Sequence, residues 1–187
     1  MMSGVIKNSQ NIITEDLEYI CNKLEDEFTC LSGKRLLITG GAGFLGYYLV
    51  QTILYWNKKK SKSREIHLVV LDNYIRGIPV WLTELERNDN LVLVKHDITK
   101  GLPEDIGDFH YIIHAASIAS PTYYRQYPIE TMDANVNGLR VLLEHCVRQK
   151  EKKKQIEGFL FFSSSEIYGD PSPENIPTPE SYHGNVS

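Results

Sequence analysis

Leu36-Leu37-Ile38-Thr39-Gly40-Gly41-Ala42-Gly43-Phe44-Leu45-Gly46 runs an apolar, strand-like segment straight into Gly-x-x-Gly-x-x-Gly and then into a helical pattern. Each glycine has a separate task in such a turn. Gly40 permits the tight reversal, Gly43 lets backbone N–H groups approach a pyrophosphate, and Gly46 lets the helix lie close on the strand. Phe44, Leu45 and Gly46 then begin the helix whose N-terminus faces the phosphates. The plain alternative is a turn that needs only positive φ angles, and the flanking strand and helix favour the dinucleotide cradle over it.

The second half of that pattern is an acidic residue ending the next strand, and Leu68-Val69-Val70-Leu71-Asp72 supplies it. Asp72 follows Gly46 by 26 residues, somewhat beyond the usual spacing of about 20. The lysine-rich stretch Lys58–Arg64 accounts for the excess. A carboxylate there accepts ribose hydroxyls and repels a 2′-phosphate, which favours NAD over NADP, while the neighbouring Arg76 works against that preference.

Outward from this unit, short apolar runs alternate with helical patterns, the signature of a parallel sheet. Strands are expected at Arg35–Thr39, Ile66–Leu71, Leu91–Lys95, Tyr111–His114 and Gly158–Ser163, and helices at Phe44–Trp56, Pro79–Arg87 and Pro128–Lys150. Upstream, Leu17, Ile20, Cys21, Leu24 and Phe28 repeat at helical spacing behind Thr14, a candidate N-cap. The fold expected is α/β, a Rossmann-type doubly wound parallel sheet, incomplete at its C-terminal end. Residues 1–32 form a helical extension, and residues 33–187 the NAD-binding domain. Pro171, Pro173, Pro177 and Pro179 mark a long loop near the end.

Composition narrows the function. At 187 residues, 42% hydrophobic and 24% charged, the chain reads as one globular domain. A net charge of −4 opposes a nucleic-acid partner, and the basic stretches Lys58–Arg64 and Arg148–Lys154 each end a helix, where they complement its dipole. No apolar run approaches the roughly 18 residues of a membrane span, and the first 29 residues lack the apolar core of a signal peptide. Cys21, Cys30 and Cys146 form no disulfide framework, which suits a cytoplasmic setting. None of the six histidines shows metal-ligand spacing, so no metal is expected.

From Arg35 onward the motifs resemble those of the extended short-chain dehydrogenase/reductases acting on nucleotide sugars, the NAD-dependent epimerases and dehydratases. Thr39–Gly46 is similar to the family's glycine motif, and Leu71-Asp72-Asn73 to its ribose-binding turn. Asp97-Ile98 matches the pair that contacts adenine. His114-Ala115-Ala116-Ser117 resembles the motif lining the cofactor, and Asn135-Val136-Asn137-Gly138 the segment in which Asn135 supports the active site. Ser163-Ser164-Ser165-Glu166-Ile167-Tyr168-Gly169 is the most specific.

The resemblance implies a reaction that begins with oxidation of the sugar at C4 by NAD, giving a 4-keto intermediate that leads to epimerisation, dehydration or loss of CO2. It implies Ser164 at the C4 oxygen and Ser165 and Glu166 around C5. Glu166 argues against simple epimerisation, and dehydratases carry an Asp where this chain has Ser165. The Ser-Glu pair, with Ser120, Pro121 and Tyr124 as a substrate loop, most resembles the UDP-glucuronate decarboxylases, lyases acting on a UDP-sugar. A 4,6-dehydratase or 4-epimerase is the alternative.

The family's proton-transfer pair is Tyr-x-x-x-Lys. This sequence has the spacing at Tyr19/Lys23 and Tyr55/Lys59, both out of family order, and Ser181–Ser187 resembles the approach to the expected place. A non-catalytic NAD-binding chain is therefore a further alternative. The resemblance also implies a homodimer through the helix from Pro128, along which Met132, Val136, Leu139, Leu143, Cys146 and Val147 recur at helical spacing.

Overall fold

The computed structural model describes residues 2–59 and 64–185, with side chains from residue 10 onward. Lys60–Ser63 of the basic stretch and the last two residues of Ser181–Ser187 lie outside the described residues. The order is α1 (Met2–Lys23), α2 (Glu25–Leu31), β1 (Arg35–Thr39), α3 (Phe44–Lys58), β2 (His67–Asp72), α4 (Val80–Leu85), β3 (Leu91–Lys95), β4 (Tyr111–His114), α5 (Pro121–Gln126), α6 (Pro128–Glu151) and β5 (Gly158–Phe161). The five strands form one parallel sheet in the order β3-β2-β1-β4-β5. This is the doubly wound arrangement expected from the alternating pattern.

Successive strand residues point to opposite faces, and each face has its own core. Leu36, Ile38, Leu68 and Val70 meet Val50, Ile53 and Leu54 of α3 on one side. Leu37, Val69, Leu71 and Ile112 meet Leu142 of α6, with Ile98 and Phe109, on the other. The leading helices share the first of these cores, since Cys21 and Phe28 are buried in it. Their expected single helix is broken at Leu24, whose backbone leaves helical values at φ −114 and ψ 34. At the break Leu24 is exposed, while Phe28 stays buried and stacks on Trp56, with ring centroids 5.1 Å apart. Thr14 is no cap. It lies inside α1, where its hydroxyl donates to the Gln10 carbonyl at 2.9 Å, because threonine satisfies itself on the preceding turn as readily as at a helix start. β5 also ends at Phe161, two residues short of the expected Ser163.

Two buried amides fix the connections. Asn57, at the end of α3, donates to the Ile66 carbonyl at 2.9 Å and accepts the Ile66 N–H at 2.8 Å. Gln149, near the end of α6, accepts the Phe109 N–H and donates to the Phe109 carbonyl, both at 2.8 Å. Each side chain stands in for a missing strand neighbour. Replacing Asn57 by Leu keeps the volume and orphans two buried backbone groups, and the expected loss is about 2–4 kcal/mol in urea unfolding. A midpoint equal to that of the unsubstituted chain would contradict this account of the clip.

Candidate functional site

Four strand ends converge on one edge of the sheet. Thr39 is paired with Leu71 on one side and His114 on the other, and His114 with Phe161. The chain winds outward from β1 through β2 and β3, then returns to β4 on the opposite side. The β1–β4 junction is thus the topological switch point, where a crevice opens beyond the carboxyl ends of the strands.

The glycine turn occupies this junction. Gly40 has a φ of +75°, and a Cβ there would press on the Ala115 carbonyl and the Ala116 backbone at 2.6 Å. A Cβ on Gly46 would drive into the Gly41 carbonyl, so only glycine lets α3 start this close to the strand. Gly43 caps α3 with no side-chain acceptor, and the first turn holds no acidic residue. The leading N–H groups and the positive end of a 15-residue helix thus face the crevice with no side-chain cap among the described residues, and Phe44 and Leu45 are exposed beside them. A diphosphate fits these donors.

Asp72 closes a second side of the crevice. Its Oδ2 accepts the Ala42 N–H at 3.0 Å and its Oδ1 the Tyr74 N–H at 2.8 Å, joining the end of β2 to the glycine turn. A carboxylate has about four acceptor positions, so two remain for ribose hydroxyls. Asn73 accepts the Ile75 N–H at 3.0 Å, which orders the loop that follows. Beyond β3, Asp97 caps a single turn by accepting from the backbone and hydroxyl of Thr99 at 3.0 and 2.8 Å. Ile98 is buried against α6, at a place where Gly138 leaves room for it.

Ala115 and Ala116 line the other wall, the Ala115 N–H donating to the Thr39 carbonyl at 3.0 Å. Beneath them the Thr39 hydroxyl and His114 Nδ1 share a hydrogen bond of 2.6 Å. Burial pushes His114 down to about 4, so it is neutral near pH 7. Its ring stacks on Phe161 at 5.6 Å, and the histidine thereby ties three adjacent strands below the site. Nothing in the spacing of the histidines signalled this role, which depends on the register of β1 against β4.

Ser164, Ser165 and Glu166 stand at the end of β5, in an exposed turn on the same edge. Ser164 Oγ accepts the Glu166 N–H at 3.2 Å, and its own proton has no acceptor among the described residues. Asn135 lies on α6 and donates to the Thr131 carbonyl at 2.9 Å. Ser120 and Pro121 begin α5, which carries the half-exposed Tyr124. This helix is absent from the sequence expectation, although Ser120-Pro121 carries a start signal like that of Tyr127-Pro128. The geometry joins the glycine turn to Asp72 and Ala115. No hydrogen bond links Ser164–Glu166 to Asn135, Ser120 or Tyr124 among the described residues.

The two Tyr/Lys spacings lie elsewhere. Lys23 sits over the Tyr19 ring at 5.8 Å, and Lys59 over the Tyr55 ring at 4.7 Å. Lys59 follows the C-terminus of α3, at the opposite edge of the sheet. Both pairs are surface contacts one helical turn apart.

Residues 36–185 match the NAD dependent epimerase/dehydratase family. UDP-glucuronic acid decarboxylase 5 of Arabidopsis thaliana is 35% identical over 158 residues, covering 84% of this chain and 41% of the plant protein. UDP-glucuronic acid decarboxylase 1 of Xenopus tropicalis is 33% identical over 154 residues, 82% of this chain and 32% of its own length. Among solved structures, a UDP-N-acetylglucosamine 4-epimerase from Methanobrevibacter ruminantium superposes with a TM-score of 0.65 at 26% identity, covering 82% of this chain and 44% of the epimerase. The chain spans less than half the length of each. Among the described residues, no helix is long and apolar enough to cross a membrane. Sequence and fold agree, and the chain belongs to the NAD dependent epimerase/dehydratase family, with NAD as its cofactor.

Proposed function

We propose that the protein as a whole decarboxylates UDP-glucuronate through a 4-keto sugar, these residues supplying the cofactor cradle and the Ser164-Ser165-Glu166 turn. The observation that carries the reading is Ser165-Glu166 at the end of β5, a hydroxyl and a carboxylate exposed beside the crevice. Relatives named UDP-glucuronic acid decarboxylases support it.

Gly40–Gly46, Asp72, Asp97-Ile98 and Ala115-Ala116 would hold NAD, which would supply the acceptor for the C4 hydride. The proton lost from the C4 hydroxyl would pass to the tyrosine of the Tyr-x-x-x-Lys pair that the family resemblance implies in the whole protein. Ser164 donates its hydroxyl to the C4 oxygen, where negative charge gathers as the C5 carboxylate of the β-keto acid leaves as CO2. Its bond from the Glu166 N–H fixes the direction of that hydroxyl. Ser165 and Glu166 hold the groups around C5, and Glu166 handles the proton that returns to that carbon. Ser165 is a poor acid for expelling a hydroxyl, which disfavours a dehydratase. Ser120, Pro121 and Tyr124 border the sugar nucleotide, and Asn135 supports the site from α6.

A second reading, an NAD-binding chain without turnover, is favoured by one observation. Both Tyr-x-x-x-Lys spacings, Tyr19/Lys23 and Tyr55/Lys59, lie away from the crevice as surface contacts. We assign residues 1–32 to a helical extension of an NAD-binding unit that runs from residue 33. We further propose a homodimer through α6, where Val136, Leu139, Leu143 and Val147 line an open apolar groove. The exposed free thiol of Cys30 fits a reducing, cytoplasmic setting.

Calorimetric titration is expected to show NAD binding and much weaker NADP binding. Asp72→Ala should lose about ten- to a hundredfold in NAD affinity, the worth of charge-assisted bonds to the ribose, whereas equal affinity for both cofactors would remove the role given to Asp72. In the whole protein, CO2 should be released from UDP-glucuronate, with neither a 4-keto-6-deoxy product from dTDP-glucose nor interconversion of UDP-glucose and UDP-galactose. Glu166→Gln should lower that release by about 10²-fold or more at unchanged NAD affinity, and full activity in this variant would end its assignment. Sedimentation should find a dimer that Val136→Asp converts to monomer, and a monomer without the substitution would refute the interface.

A further inference from the structure

We propose that Arg76 and Tyr123 form a strap across the mouth of the cofactor crevice, and that its parting sets how fast NAD enters and leaves. The inference rests on the reading of the crevice as the NAD site. The Arg76 guanidinium lies over the Tyr123 ring, 5.7 Å from its centroid. Arg76 belongs to the loop after β2 and Tyr123 to α5, after β4, so the two come from strands on opposite sides of β1. The glycine turn at the end of β1 lies between those loops. Ala42 touches the first through Asp72 at 3.0 Å, and Gly40 closes against the second at Ala115. A contact between the loops therefore bridges the crevice.

The first arm is fixed at its base and free at its tip, and the second is an exposed helix. In the first, the Tyr74 ring is buried in the core, and the Gly77 N–H returns to the Tyr74 carbonyl at 2.8 Å. Ile75 and Arg76 form the tip of that tight turn, and both are exposed. Tyr74 holds a left-handed φ of 52° and Gly77 one of 82°, so the turn is set by its backbone and projects Arg76 outward. In the second arm, the Tyr123 N–H donates to the Ser120 carbonyl at 2.9 Å in the first turn of α5. That helix buries none of its residues. The strap is a single exposed cation–π contact between a turn anchored by Tyr74 and an exposed helix, strong enough to bias closure and weak enough to open.

Retention suits the proposed chemistry. A reaction that removes a hydride from C4 and later returns it needs the same cofactor in place between the two transfers. A latch of similar energy in the free and the bound protein slows association and dissociation equally and leaves the affinity where it was.

Stopped-flow fluorescence of NADH binding to the 187-residue chain tests this. Tyr123→Leu and Arg76→Gln should each raise both rate constants about two- to fivefold, the range of an exposed cation–π contact, with the dissociation constant unchanged. The double variant should exchange no faster than either single variant, because each side chain acts through the other. Both positions are exposed, and unchanged thermal unfolding of the variants verifies that the fold is intact. A dissociation rate that rises alone would make these residues direct ligands and overturn the strap, as would effects that multiply in the double variant. Failure of the unsubstituted chain to bind NADH would overturn the cofactor reading and the strap with it. Binding at rates indifferent to both substitutions would overturn the strap alone.

Discussion

Helix α3 begins so close to β1 that a side chain at Gly46 would occupy the Gly41 carbonyl. This contact decides where the helix N-terminus lies relative to the strand ends, and much of the site follows from it. With α3 held there, Val50, Ile53 and Leu54 reach the sheet, and Ala42 comes within hydrogen-bonding distance of Asp72. The N-terminus of α3 and the Asp72 carboxylate are thus placed by one steric fact and one polar contact.

Much of this arrangement was legible in the residues. The alternation of apolar runs with helical patterns gave the order of elements, and the glycine turn with Asp72 located the crevice, because both depend on local chemistry that spacing records. The rest depends on contacts between segments far apart in sequence. The stack of Phe28 on Trp56 joins the leading helices to α3, and the neutral, buried His114 depends on strand register. α5 is only six residues long, too short for a periodic apolar signal. For Ser164–Glu166 the residues carry a motif, while the structure adds the turn that orients Ser164 through the Glu166 N–H.

The leading helices bind the first crossover more firmly than their position at the margin suggests. Tyr48, near the start of α3, donates to Asp16 at 2.8 Å, and Lys59, just beyond its end, meets Glu18 at 3.2 Å. These exposed pairs contribute little individually. The larger share comes from burial of Leu17, Cys21 and Phe28 against α3 and the sheet. Substitutions in the leading helices therefore reach α3 and the glycine turn through packing.

The Asn57 clip also bears on how this architecture tolerates variation in length. By fastening Ile66 directly to the end of α3, it sets the start of β2 independently of the residues between. The lysine-rich connection can then lengthen or shorten, at the slowly growing entropic cost of a longer loop, without shifting β2 by a residue and turning its inward side chains outward. The wide spacing between Gly46 and Asp72 thus leaves no trace in the site, and natural insertions at this point are expected to be neutral for cofactor geometry.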